Sequence, residues 1–505
     1  MHTLLRLAAA ALLLAAPALA QPGPAPRSSE GRPVEGRRLP PDSTTEHRLE
    51  LPGRTLAFRA TAGSLALTEP AGAVQAEIGF VAYALAGTEP AGRPVTFVVN
   101  GGPGAASAYL HLLAVGPWRL PLEGGTISPS LPPSLVPNAE TWLDLTDLVF
   151  IDPVDTGYSR ANATPDEKRD RYFNVDGDAA SIAAAIARWL RQNDRLASPK
   201  FFMGESYGGF RGPLVAEKLA GDVGVGLSGL VLVSPVLDFA WLSQPSHGVL
   251  EHVARLPSYA AASLARRGAV TRGGLAEVER YAATEYLADL MRGLRDEAAV
   301  ERASRRVAEL SGLDEALVRR RGGRVDLGTF TREFRRADGK TVSIYDSGVS
   351  TFDPDPTAAG SRGEDAQLGA MRAPLISATV DHYARRLDWR VPNQRYELIN
   401  GAVNGAWRYG RGRSVPESLG ELKAALALDP ALRVMVAHGL TDLVTPYFGS
   451  ELLLRQLPPF GDAGRVSLTT YPGGHMFYTR ADARAAFHRD GAELIRQALE
   501  ARARD

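Results

Sequence analysis

Cysteine is absent from the 505 residues, which removes disulfides, thiolate metal sites and a cysteine nucleophile together. Net charge is lacking as well. The 57 basic residues balance 57 acidic ones, so no long-range field draws the chain to nucleic acid or to an anionic membrane surface. A peptide or a small acyl compound is the partner this balance leaves open. Long apolar runs are missing except at the N-terminus, where Arg6 precedes Leu7 to Ala16 and the small-x-small triplet Ala18-Leu19-Ala20. That run is shorter than the ~20 residues a membrane-spanning helix needs. It predicts a signal peptide cleaved after Ala20, a secreted or periplasmic protein, and no stable membrane insertion after cleavage. His247, Glu251 and His252 have a spacing that fits neither H-E-x-x-H nor H-x-x-E-H, so no zinc, other metal or cofactor is expected.

What is present divides into stretches of different character. Residues 21–45 are rich in Pro, Gly, Ser and Arg and hold too little apolar surface to offset chain entropy, which predicts a disordered leader. Residues 46–240 begin with short alternating stretches, Thr55 to Ala60 and Leu65 to Leu67, broken by Gly and Pro at hairpin spacing; these predict antiparallel strands. Apolar runs then follow at Val95 to Val99, Leu148 to Ile151, Phe201 to Met203 and Leu230 to Val233, separated by helical patterns such as Ile182, Ile186, Trp189 and Leu190. Continuous apolar strands alternating with helices predict a mostly parallel sheet covered on both faces. Over 241–400 the strand signal largely stops and amphipathic segments, Leu275 to Leu294 and Ala298 to Leu310, predict a helical cap insertion. The sheet pattern resumes in 401–505, with strands at Leu432 to Ala437 and Val466 to Tyr471.

Chemistry gathers where these strands end. Gly204-Glu205-Ser206-Tyr207-Gly208 sits between an apolar strand and the helical segment Phe210 to Ala220, the context of a nucleophile elbow in an α/β-hydrolase fold. A serine hydroxyl needs a base to take its proton and an acid to hold that base in the right tautomer. Asp442, just past one strand, and His475, just past the next, supply them in the order Ser, Asp, His that this fold uses. Asp238 is the alternative acid. His438 is the alternative base, but it precedes Asp442 and breaks the order. Asn100-Gly101-Gly102-Pro103-Gly104 follows the strand Val95 to Val99, where this fold places the amide donors of its oxyanion hole.

Taken together, Asn100 to Gly104, Pro137-Asn138 with Trp142, Val149 to Pro153, Gly157-Tyr158-Ser159, Gly204 to Gly209, the Asp442 segment and Gly474-His475 resemble the serine carboxypeptidase family. That resemblance implies a capped α/β-hydrolase that removes the last residue of a peptide through an acyl-enzyme. It implies Ser206 as nucleophile, His475 as proton shuttle and Asp442 as its orienting acid. It also implies the amides of Gly102 and Tyr207 as the oxyanion hole, and Asn100, Gly101 and Glu205 as holders of the substrate's terminal carboxylate. Glu205 would have to keep its proton to meet another carboxylate, which favours acidic conditions. Two positions depart from the family: Val98 stands where the family usually has Trp, and Ala114 where it has a second Glu. Both bear on carboxylate recognition, so an esterase or acyltransferase on the same scaffold is the alternative, and a catalytically silent binding protein is a third reading.

Overall fold

The computed structural model describes residues 38–69, 71–242, 247–358, 363–410 and 414–502. The expected signal peptide and most of the expected leader lie outside them.

One ten-stranded sheet organises the chain. Its main strands are β1 (Ser43–Leu51), β2 (Arg54–Thr68), β3 (Val74–Leu85), β4 (Val95–Val99), β5 (Asp147–Ile151), β6 (Lys200–Glu205), β7 (Gly229–Val233), β8 (Arg433–Gly439) and β9 (Val466–Tyr471). Their order across the sheet is β1-β2-β3-β5-β4-β6-β7-β8-β9, and the short strand Arg160–Ala161 also pairs with β3. Pairing is antiparallel from β1 through β3 to β5 and parallel from β5 to β9. The sequence-predicted architecture is therefore the observed one.

The physical basis is a period of two with apolar residues on both faces. Phe202, Leu230, Leu232, Val434 and Val436 pack into one layer, and Met203, Val231, Val233, Met435 and Ala437 into the layer opposite. Strands so placed can bury every side chain, and β4, β5 and β7 are buried throughout. Helix α1 (Val175–Gln192) covers the first layer with Ile182, Ile186, Trp189 and Leu190, and Trp189 meets Phe97 edge-on at 5.5 Å between ring centroids. Asn174 caps its first turn by accepting from the Gly177 amide at 2.9 Å, which satisfies one of the donors a helix start leaves open.

Two expectations need correction. The leader does not extend to residue 45: β1 starts at Ser43, Leu39 is buried, and the Arg38 amide donates to Glu77 at 2.5 Å. A single apolar residue, Leu39, and hydrogen bonds to a buried carboxylate hold this segment despite its polar composition. The stretches at 55–60 and 65–67 are not separate strands but parts of the fifteen-residue β2. Gly63 does not break it. Asp42 crosses the strand against Gly63 and accepts from the Ser64 amide at 3.0 Å, a close approach only a residue without Cβ permits.

Between β7 and β8 the described chain is mainly helical, with α2 (Tyr207–Lys218) preceding β7 and α3 (Leu250–Ala265), α4 (Glu297–Ser311) and α5 (Ala366–Asp381) following it. Helices α3 and α4 share an apolar cluster of their own, in which Tyr259 stacks on Phe330 at 4.0 Å and Val307 joins Leu443, Tyr447 and Phe448 from beyond β8, whereas Met371 and Leu375 of α5 join a layer that packs on the sheet. Asp296 caps α4, and Gly312 ends it in the left-handed region at φ 73°, a conformation that glycine adopts without the penalty a Cβ brings. A small hairpin, Lys340–Val342 with Ser350–Phe352, interrupts the helices; three-residue strands are too short to show a period. Among the described residues no helix is long and apolar enough to cross a membrane.

Candidate active site

Ser206 stands between β6 and α2 with φ 61° and ψ −121°, a strained conformation for a residue with a side chain. The glycines around it explain how the turn is accommodated. A Cβ at Gly204 would collide with the Gly208 carbonyl, one at Gly208 would sit 2.5 Å from the Val99 oxygen, and one at Gly209 would sit 2.5 Å from Cβ of Pro235. The turn is held by the Ser206 amide, which donates to Val233 at 2.9 Å, and by the Ser206 carbonyl, which accepts from Gly209 at 2.9 Å. Backbone packing thus fixes the serine at the carboxyl edge of the parallel strands.

The acid and base arrive on the loops after β8 and β9. His475 Nδ1 lies 2.7 Å from Asp442 Oδ2, and both residues are buried. Amides of Val444 and Thr445 donate to Asp442 Oδ1 at 2.9 and 3.1 Å. The Thr445 hydroxyl is 2.8 Å from Asp442 Oδ2, 2.9 Å from the Ser234 carbonyl and 3.0 Å from His475 Nδ1. With Asp442 Oδ2 accepting at Nδ1, the imidazole hydrogen sits on Nδ1 and Nε2 is left as a base. Burial disfavours a charged His475, but Asp442, by charge and hydrogen bond, and then Glu205 more than offset it, so its pKa is raised. Ser206 and His475 line one cavity of about 380 Å³. Among the described residues no hydrogen bond joins them; such contacts often close only in the substrate complex.

The alternative groups take other roles. Asp238 caps a short turn by accepting from Ala240 at 2.8 Å. His438 is buried, with Nε2 2.9 Å from the Ser450 hydroxyl and its pKa pushed down to about 4, chiefly by burial.

The glycine loop after β4 lies directly on the elbow. A Cβ at Gly101 would stand 2.6 Å from both the Glu205 oxygen and the Tyr207 nitrogen, and 2.9 Å from Cβ of Ser206. Gly102 has φ 102° and Gly104 φ 98°, a region glycine enters without penalty. Segment 398–404 clasps the loop from outside: Ala106 donates to Leu398 at 2.9 Å and Asn400 to Gly104 at 2.8 Å. From inside, Arg211, fully buried and paired with Asp178 at 2.5 Å, donates to the Asn100 carbonyl. Among the described residues the Gly102 and Tyr207 amides donate to no protein acceptor. Gly102 lines the same cavity as Ser206, and Tyr207 follows that serine in the chain, which makes the two amides candidates for an oxyanion hole.

Glu205 lies under this loop, 3% exposed. Asn100 Nδ2 donates to its Oε2 and the Tyr478 hydroxyl to its Oε1 at 2.6 Å. Burial pushes its pKa up to about 7; His475 and the donors Tyr478 and Asn100 oppose the rise and Asp442 adds to it.

Residues 54–241 match the model of the serine carboxypeptidase family. Over that segment the chain is similar to the serine carboxypeptidases. Among curated proteins it is similar to a pheromone-processing carboxypeptidase of Yarrowia lipolytica, 24% identical over 74% of this chain and 53% of that protein. It is also similar to serine carboxypeptidase-like 33 of Arabidopsis thaliana, 30% identical over 32% of this chain and 33% of that one. The chain thus spans a third to about half the length of the curated relatives it matches. In fold it resembles the crystal structure of a prohormone-processing carboxypeptidase from Saccharomyces cerevisiae, with TM-score 0.56, 14% identity, and coverage of 87% of this chain and 91% of that one.

The serine carboxypeptidase match ends at residue 241, before Asp442 and His475, so those two rest on the geometry above. Both departures from the family are buried: Val98 within β4, and Ala114 on the turn Leu110–Val115. With the second acid missing, Glu205 takes Tyr478 as its partner instead.

Several side chains at this site escaped the sequence reading. Asp346, buried in the insertion, accepts from Arg480 at 2.7 Å and from the Thr441 hydroxyl at 2.8 Å, while the His475 amide donates to the neighbouring Tyr345 carbonyl at 2.5 Å. Segment 343–347 thereby straps the acid loop to the base loop. Nothing in sequence separation or pattern marks Asp346, Tyr478 or Arg211. Only Thr445, three residues after Asp442, carries a signal, that of a hydroxyl folding back on a turn acid.

Proposed function

We propose that this chain is an exported serine hydrolase that acts as a carboxypeptidase on peptides. Ser206 Oγ attacks the last peptide carbonyl and its proton passes to His475 Nε2, with Asp442 holding the imidazole and balancing its charge. The tetrahedral oxyanion forms against the Gly102 and Tyr207 amides, each donor worth ~3 kcal/mol of barrier lowering. Collapse breaks the C–N bond, His475 gives its proton to the departing amine, and an acyl-serine remains; water, activated by the same histidine, then releases the shortened peptide. Asn100, Gly101 and Glu205 line the same cavity, which supports a role for them in holding the released residue. The observation that carries this reading is the convergence of Ser206, His475, the glycine loop and a buried carboxyl on one cavity. Export rests on the N-terminal sequence pattern.

The test compares a peptide carrying a free C-terminal carboxylate with its amide, using mass spectrometry to read the products. Loss of one residue from the free acid, its near absence from the amide, and no cleavage by Ser206→Ala are the expected results. Wild-type cleavage by Ser206→Ala would end the proposal.

A second reading, an esterase or acyltransferase, is favoured by Ala114 and by the engagement of both Glu205 oxygens with Tyr478 and Asn100. Faster turnover of an ester than of any peptide, with no preference for a free acid, would decide for it.

A further inference from the structure

The cavity that holds Ser206 has a second polar station, built from the cap and from the helical turn after the glycine loop. Among its lining residues Arg372 carries the sole guanidinium, and Tyr109 stands nearby. Arg372 projects from α5, is about half exposed, and is paired at 2.7 Å with the more exposed Glu364. An exposed ion pair of this kind is worth at most about 1 kcal/mol. It can therefore be exchanged for another carboxylate at little cost, and a planar guanidinium suits a two-oxygen acceptor.

Tyr109 points to the same ligand from independent evidence. The residue is 5% exposed, and its hydroxyl is buried with no hydrogen-bond partner among the described residues. It lies within electrostatic reach of Glu205, Tyr345 and Arg372. A buried hydroxyl left unpaired costs about 1–3 kcal/mol, which a ligand acceptor would recover.

Glu205 gives the reason a second station is needed. Both its oxygens already accept hydrogen bonds, so when ionised it would only repel a substrate carboxylate. The second acid that the family uses beside it is Ala114 in this chain.

We propose that Arg372 and the Tyr109 hydroxyl bind the free carboxylate of a peptide substrate, at its terminus or on its last side chain. The proposal deepens, and rests on, the carboxypeptidase reading of the Ser206 site. Arg372 supplies the positive charge and Tyr109 a neutral donor, so recognition persists when Glu205 is ionised.

Steady-state kinetics on a free-acid peptide, the same peptide ending in an acidic residue, and the C-terminal amide test it. Arg372→Met is expected to raise KM for the free acids at least ten-fold more than for the amide. Arg372→Lys should recover part of that loss and Tyr109→Phe should raise the free-acid KM about three-fold, with thermal unfolding confirming that each variant is folded. A larger effect on the peptide with the acidic last residue assigns the side-chain carboxylate; equal effects on both acids assign the terminal one. If wild type prefers the free acid and the variants change acid and amide alike, this proposal fails alone. If wild type ignores the difference between acid and amide, the carboxypeptidase reading fails and takes the proposal with it.

Discussion

Asp442 Oδ2 and His475 Nδ1 lie 2.7 Å apart in a buried pocket where every remaining polar neighbour of the acid is a donor. Such a pair fixes the tautomer more than it adds binding energy. Asp442→Asn should keep the fold but present the wrong hydrogen to Nδ1. A fall in kcat of about 10³–10⁴ at neutral pH is expected, measured on an activated ester; a loss under ten-fold would remove Asp442 from the triad.

Gly101 should tolerate no side chain. A Cβ there meets the backbone of Glu205 and Tyr207 at 2.6 Å, and the loop can yield only by moving the Gly102 amide away from the oxyanion. Gly101→Ala is therefore expected to lower kcat by ~10²-fold or more, corresponding to one lost donor, while circular dichroism stays unchanged. Unimpaired turnover would place the oxyanion hole elsewhere.

Two opposing titrations set the pH dependence. His475 must be neutral to act as base, and its pKa is raised, so turnover of an amide or ester substrate climbs with pH through a midpoint above the usual histidine range. Glu205, at about 7, accepts a free-acid substrate best while protonated, so that affinity falls as pH rises through about 7. Free acids should show a more acidic optimum than esters, and Glu205→Gln should abolish the difference. Identical profiles for the two substrates would contradict this assignment.

The same raised pKa has a consequence for stability. Glu205 ionises near 4.5 when unfolded and near 7 when folded, so the native state holds the extra proton between those values. Its contribution is full below pH 4.5 and is lost progressively as pH rises to about 7. Glu205→Gln should flatten this part of the melting profile, which thermal unfolding at pH 5 and pH 8 would reveal. A wild-type slope retained by the variant would mean that other groups dominate.

The strap predicts a coupling between segment 343–347 and the loops that carry Asp442 and His475. Asp346→Ala removes the partner of Arg480 and of the Thr441 hydroxyl. A loss of about 1–3 kcal/mol is expected, below the 3–5 kcal/mol of fully buried pairs because Arg480 retains access to water. Fluorophosphonate labelling of Ser206 should slow at the same time, since both the acid and base loops are released. Lower stability with an unchanged labelling rate would confine Asp346 to a structural role.

The mostly parallel sheet, its antiparallel entry and the strand–turn–helix around Ser206 were legible because each is a local pattern: apolar residues with a period of two, and glycines forced by backbone that passes within a few ångströms; the order of strands across the sheet was not. The positions of Ser206, Asp442 and His475 past strand ends were legible for the same reason, since each follows a recognisable strand. The sequence could not reveal that Leu39 joins the core or that Gly63 lies within a single long strand, because both depend on Asp42 and Glu77 arriving from elsewhere in the fold. Nor could it reveal Tyr478 against Glu205, Arg211 beneath Asn100, or Asp346 between the acid and base loops. These contacts join residues 95 to 273 positions apart. A side chain's partner at that distance is set by how sheets, loops and cap close on one another, and one-dimensional order carries no period or spacing from which that closure can be read.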